Sequence, residues 1–228
     1  SQFLSEFLCR RPEFLDTVVH PDELKRQKTL SQFTTELKSV FQEAGNNKEK
    51  RWSLRRFQQT EMFRIGMKDV LGELSRDQLG KQMAGLAECC LLATFDLACE
   101  SLEASLGPGF TSWAHEQVAI LALGKLGGND LSYHSDLDLI YLYSDENNAT
   151  IRENQQRCVC LVECINEILS VSQGEGHIYR IDTRLRPMGS KGELGTPASH
   201  YREYLAIHAE AWERLALSRT RVLARDGE

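Results

Sequence analysis

The stretch Ala122–Tyr143, ALGKLGGNDLSYHSDLDLIYLY, decides how this chain is read. An apolar run, Val118–Leu123, leads toward the paired glycines Gly127 and Gly128, and a second, Leu137–Tyr143, takes in or follows the two spaced aspartates Asp136 and Asp138. Each run is too short for an independent helix and is bounded by glycine or polar residues, so both are expected to be buried strands. Side chains alternate faces along a strand. Asp136 and Asp138 therefore share a face, with Cα atoms about 6.6 Å apart, while Leu137 and Leu139 point into the core. Two such carboxylates can reach one cation or a pair. Mg²⁺ takes a few carboxylates together with water and substrate phosphate oxygens, and two ions about 3.5–4 Å apart clamp the attacking and leaving oxygens of a displacement. Glycines without a Cβ let backbone N–H groups approach phosphate. A helical turn starting at Asn129 would add its dipole, and Lys125 would neutralise phosphate charge. A Gly-Gly pair alone is equally a plain turn. The specific signal is the pair, seven residues, then Asp-Leu-Asp within apolar flanks, which points to metal-assisted nucleotidyl transfer.

A third acid is expected from Ile178–Leu185, where Tyr179, Ile181, Thr183 and Leu185 alternate with Arg180, Asp182 and Arg184 as in a strand with one charged face. Burying that face is costly unless it lines a cleft holding cation and phosphate. Asp182 is the expected third ligand. Arg180, Arg184 and Arg186 carry guanidinium forks that match phosphate oxygens, although taken alone they equally describe a solvated face. His134 is either a substrate contact or a loop residue. Cys158, Cys160 and Cys164 raise the question of zinc, but on a helix only Cys160 and Cys164 share a face and no histidine is near, so buried thiols are expected. Tyr201, Tyr204, Leu205, His208, Trp212 and Leu215 form a helical stripe expected in the core, with Glu213 and Arg214 on the surface beside it.

At 228 residues, with 41% hydrophobic and 26% charged, the chain is expected to form one large globular domain or two small ones. A net charge of -6 and a pI near 5.6 argue against broad adhesion to nucleic acid or anionic membrane. No apolar stretch approaches the about 20 residues that span a bilayer, and the N-terminus lacks signal-peptide order. A cytoplasmic protein is expected. Seven scattered cysteines do not make a disulfide framework. Ser1–Val19 is an apolar-periodic segment interrupted by Pro12. Helices are expected over Asp22–Glu43, about Glu49–Leu71, and from a capping box at Ser75 and Gln78 to about Ser105. The composition changes after Gly107-Pro108-Gly109, separating a helical N-terminal subdomain, 1–107, from a catalytic domain, 108–228. The latter is expected to carry an amphipathic helix over Asn154–Ser172, a break at Gly174 and Gly176, a loop from Gly189 to Gly195 and a final helix over Ser199–Leu223.

These motifs carry a resemblance. GKLGGNDLSYHSDLDLIYLY, YRIDTRLRPMGSKGELGTPASHYREY and AWERLALSRTRV, with the upstream LRRFQQTEMFRIGMKDVLG, resemble the glutamine synthetase adenylyltransferase family over nearly the whole chain. The resemblance implies an α+β nucleotidyltransferase fold of the DNA polymerase β type, with a mixed sheet and a helical extension. It implies ATP as nucleotide and Mg²⁺ as cofactor, held at Asp136, Asp138 and Asp182, with Lys125, Gly127, Gly128, Ser135, Arg184 and Arg186 as nucleotide contacts. Family enzymes pair two such halves, one attaching AMP to a tyrosine of glutamine synthetase and one removing it by phosphorolysis, under a PII-type signal protein. One motif copy is present here. The wording at Arg64–Gly72 and Ser135–Leu139 is more similar to the attaching half; the removing half and a non-catalytic nucleotide-sensing module are the alternatives. Asn129-Asp130 departs mildly from the family wording, where glutamate is commoner at the second position. In the implied reaction one carboxylate, Asp182, helps deprotonate the tyrosine hydroxyl.

Overall fold

The computed structural model describes residue 9 and residues 27–145, 151–170 and 177–223. Apart from Cys9, the segment Ser1–Val19 lies outside the described residues, as do Gly174 and Gly176. The fold is α+β with a mixed open sheet. Contacts group the chain into two compact units, Ser1–Cys90 with Asn129–Tyr133, and Leu91–Gly128 with His134–Glu228.

The first unit is helical. Of the helix expected over Asp22–Glu43, positions 22–26 lie outside the described residues; helix α1, Leu30–Gln42, starts at a Thr29 cap: the Gln32 N–H donates to its Oγ1 at 3.3 Å, and the Thr29 N–H donates to Gln32 Oε1 at 2.8 Å. Asn46 caps α2, Asn47–Val70, in the same way through the Glu49 N–H at 3.0 Å. The Ser75–Gln78 box opens α3, Arg76–Leu106, with reciprocal bonds of 2.8 and 3.2 Å. Phe33 and Leu37 of α1, Leu54, Phe63 and Ile65 of α2, and Met83 and Leu86 of α3 are buried. α2 also buries charge. Glu61 accepts from Lys28 Nζ at 2.8 Å and from Arg64 Nε at 2.7 Å, with the Glu61 and Arg64 side chains 5% and 3% exposed. The apolar part of α3 is long enough by composition to cross a bilayer, contrary to the sequence expectation, and 78% of that window is buried in protein.

In the second unit Gly109, at φ 94, turns the chain into α4, Phe110–Gln117, a short helix that the sequence reading does not contain. Strands β1, Val118–Ala122, and β2, Leu137–Tyr143, pair antiparallel with Val118 opposite Tyr143 and Ala122 opposite Leu139. Between them lies a single helical turn, α5, Gly124–Gly127. α6, Ile151–Ser170, buries Leu161, Val162 and Ile165, and its Cys158 meets Gly195 so closely that no Cβ fits there. Strands β3, Ile181–Asp182, and β4, Gly195–Pro197, both join β2 in parallel. The sheet runs β3-β2-β1-β5, with β4 also on β2.

Two expectations need correction here. The strand expected over Ile178–Leu185 is only Ile181–Asp182, because the Asp182 carboxylate accepts the Arg184 N–H at 2.8 Å and turns the chain. The final helix is broken into α7, Ala198–Ile207, and α8, Ala211–Ala216, followed by a 3₁₀ turn, Leu217–Arg219, and strand β5, Arg221–Leu223, antiparallel to β1. Glu213 starts the second piece by accepting the Glu210 N–H at 2.8 Å. The break also dissolves the predicted core stripe: Tyr201 is buried, while Trp212 is 55% and Leu215 71% exposed. The seven cysteines are free thiols; Cys89, Cys90, Cys99 and Cys158 are buried, but Cys160 and Cys164 only partly.

Candidate active site

The parallel register of β2 and β3 sets Asp138 directly beside Asp182, while Leu137 pairs with Ile181 and donates its N–H to the Arg180 carbonyl at 2.8 Å. Leu137 and Leu139 are fully buried, so the intervening Asp138 faces away from the core; Asp136, just before the strand, is exposed. Partial burial first, then the neighbouring Asp182 and Asp136 charges, push the Asp138 carboxyl above the usual carboxylate range, against the pull of Arg184 and Lys125. Asp182 shifts the other way, chiefly through hydrogen bonds from Arg184, whose Nε lies 2.9 Å from both carboxylate oxygens. The Arg184 guanidinium is itself stabilised by Asp182, then by Asp136 and Asp138. It is the cation of a three-carboxylate cluster.

The glycine turn is placed against this cluster by a residue the sequence reading did not single out. Gly124, at φ 56, lies against the Asp138 carboxylate, and a Cβ there would collide with Oδ2. The turn starts at Gly124, not at the expected Asn129, which sits at φ 54 beyond its end. Its hydrogen bonds also change the role given to the paired glycines. The Gly127 N–H donates to the Leu123 carbonyl at 2.9 Å and the Gly128 N–H to the Gly124 carbonyl at 3.1 Å, so both amides are used within the turn. What the missing Cβ atoms allow is close approach: Gly127 packs on the carbonyl oxygens of Ala122 and Arg219, and Gly128 on the Arg219 guanidinium. Arg219, in the LSRTRV wording, is thus a second basic residue at the turn that was missed, since spacing along the chain gives no sign that β5 returns there.

Of the other predicted residues, Lys125 Nζ lies 3.5 Å from Ser135 Oγ, which brings these two together beside the turn. Arg186 is buried, and its guanidinium donates to the Thr183 carbonyl and hydroxyl, both at 2.7 Å, and to the Gly192 carbonyl at 3.0 Å. Those bonds tie it to Thr183 and to the Gly189–Gly195 loop, and its charge, after that of Arg184, helps hold the Asp182 carboxyl below the usual range. Arg180 is exposed, as is His134, which bends the chain at φ 58.

Among the described residues no three His, Cys, Asp or Glu side chains converge as a ready-made metal cage. The donor chemistry nevertheless fits a divalent cation. Asp136 lies just before β2, Asp138 on it and Asp182 beside it on β3; these hard oxygen donors act on one another electrostatically, together with the Arg184 guanidinium.

A sequence model of the glutamate-ammonia ligase adenylyltransferase family matches residues 1–228. The chain belongs to this family. Similar relatives are both named bifunctional glutamine synthetase adenylyltransferase/adenylyl-removing enzyme. The one from Thioalkalivibrio sulfidiphilus is 30% identical over 236 residues, covering 100% of this chain and 24% of the relative. The one from Pasteurella multocida is 30% identical over 232 residues, covering 98% of this chain and 24% of the relative. The chain thus spans about a quarter of the length of these relatives.

Proposed function

We propose that this chain is a polymerase β-like nucleotidyltransferase unit, with a helical N-terminal domain over 1–107, that transfers AMP from ATP to a tyrosine of glutamine synthetase. The observation that carries this reading is the cross-strand pairing of Asp138 with Asp182, two residues from Asp136 and against Gly124. Asp136, Asp138 and Asp182 would hold Mg²⁺, which supplies charge neutralisation at the α-phosphate. Lys125, Ser135 and Arg219 flank the glycine turn, where the triphosphate is to lie. Arg184 leaves Asp182 for phosphate oxygens when nucleotide enters, exchanging one charge-assisted bond set for another. The tyrosine oxygen then attacks the α-phosphorus in line, the bond to the β-phosphate oxygen breaks, pyrophosphate leaves, and Asp182, freed of its guanidinium, accepts the phenol proton. Positioning and charge neutralisation supply most of the acceleration. In a longer enzyme this unit would work beside an adenylyl-removing half under a PII-type signal protein.

The test mixes the purified chain and Mg²⁺ with glutamine synthetase in unmodified and adenylylated forms, the first with ATP and the second with inorganic phosphate. Incorporation of label from [α-³²P]ATP into a tyrosine of the unmodified form is the expected result. Release of AMP-derived product from the adenylylated form, without incorporation, would assign the chain to the removing activity. No label movement in either direction would leave nucleotide sensing as the reading.

A further inference from the structure

The five residues Asn129–Tyr133 join the glycine turn to Asp136, yet they pack as part of the helical unit. Positive φ angles at Asn129 and His134, 54° and 58°, bend the chain at both ends of this segment. Its interior is gripped at two points. The Tyr133 hydroxyl donates to Asp69 Oδ2 on α2 at 3.0 Å. Gly80 on α3 faces the segment's backbone so closely that a Cβ would stand 2.7 Å from Asp130 Cα and 3.2 Å from the Asn129 carbonyl oxygen. Leu131, between these points, is 2% exposed. Burial, and then Asp69, keep the Tyr133 phenol protonated far above neutral pH, so it remains a donor. A glycine in the interior of a long helix carries a propensity cost relative to alanine. Here the space it leaves is filled by backbone from the motif loop.

We propose that Asp69, Gly80 and Tyr133 form a clamp on Asn129–Tyr133 that fixes the two ends of this segment, the glycine turn and Asp136, in register for adenylyl transfer. The proposal rests on the transferase reading above. The three are positioning residues: none has to touch substrate, and each acts through the main chain of a loop whose two ends carry the phosphate turn and the first acid. An error of an ångström in such placement costs as much as about a hundredfold in rate.

The test compares the full chain with Tyr133→Phe, Asp69→Ala, Asp69→Asn and Gly80→Ala. It follows AMP transfer kinetics at saturating Mg²⁺, hydrogen–deuterium exchange of peptides spanning 129–136, and thermal unfolding. For Tyr133→Phe and Asp69→Ala the expected result is faster exchange in 129–136 and a kcat lower by about tenfold or more, with the KM for ATP changed by less than about threefold. Asp69→Asn, whose amide oxygen accepts the same bond, is expected to stay within about twofold of the parent. Gly80→Ala is expected to lose turnover although helix propensity alone favours alanine. Unchanged exchange in Tyr133→Phe, or an Asp69→Asn variant as impaired as Asp69→Ala, would overturn the clamp. If the parent chain moves no AMP, the transferase reading fails, and the exchange comparison still decides whether the segment is clamped.

Discussion

Asp138 is where the conflict between folding and chemistry is concentrated. Its position between two buried leucines is dictated by strand alternation, but its neighbours are not local: Asp182 comes from forty-four residues further along, and Gly124 from the preceding turn. Burial and the two adjacent acids raise its pKa. The sign follows from proton counts. Between the ordinary carboxylate pKa, about 4, and the raised native value, the folded chain holds a proton that the unfolded chain has lost, so stability falls as pH rises through that window. Asp138→Asn is therefore expected to abolish nucleotide transfer while raising the melting temperature at pH 7 in the absence of divalent cation. That gain should vanish as the pH approaches the ordinary carboxylate range, and calorimetric scans from pH 4 to 8 check it. A variant that melts lower at pH 7 would show that Asp138 makes a net favourable contact. Asp182 has the opposite sign, its charge favoured by Arg184.

At the scale of elements, the strands and capped helices were legible and the returns were not. β2 lies where its apolar run begins and ends, and the Ser75–Gln78 box opens α3, because strand alternation and cap chemistry are local. The broken C-terminal helix was illegible because its stripe has helical period throughout. The break is decided by Glu213 capping one piece and by β1 offering an edge to Arg221–Leu223. The same return brings Arg219 onto the turn, which makes Gly127 a structural keystone: a methyl group there meets the carbonyl oxygens of Ala122 and Arg219 at once. Gly127→Ala is expected to cost about 2 kcal/mol through this overpacking, lowering the melting temperature by about 4–8 °C for a chain of this size. Differential scanning calorimetry measures it, and an unchanged transition would mean that β5 yields freely.

Across the whole molecule, buried charge lies mainly in the helical unit, in Glu61, Arg64, Lys68 and Glu88. The helical unit buries an ionic network in which Glu61 is shared by Lys28 and Arg64, with the neighbouring Lys68 also buried and its pKa lowered by burial and then by Arg64. Removing Glu61 takes its carboxylate from the buried Arg64, while Lys28 keeps its bond to Glu36. Glu61→Ala is expected to destabilise by about 3–5 kcal/mol, read as a lower urea midpoint, and a shift below about 1 kcal/mol would show that water or another acid takes over. The sequence by itself determined the family, the α+β class, the two central strands and the helix capped at Ser75, because motif wording, hydrophobic period and cap residues all act over a few neighbours. Only the tertiary structure decided that Asp182 sits opposite Asp138, that Gly124 begins the turn, that Arg186 bonds a loop while Arg219 reaches the glycines, and that Asn129–Tyr133 groups with the helical residues. Each of these depends on strand register or on close approach between residues far apart in the chain, and such distances are set by packing, which no local pattern encodes.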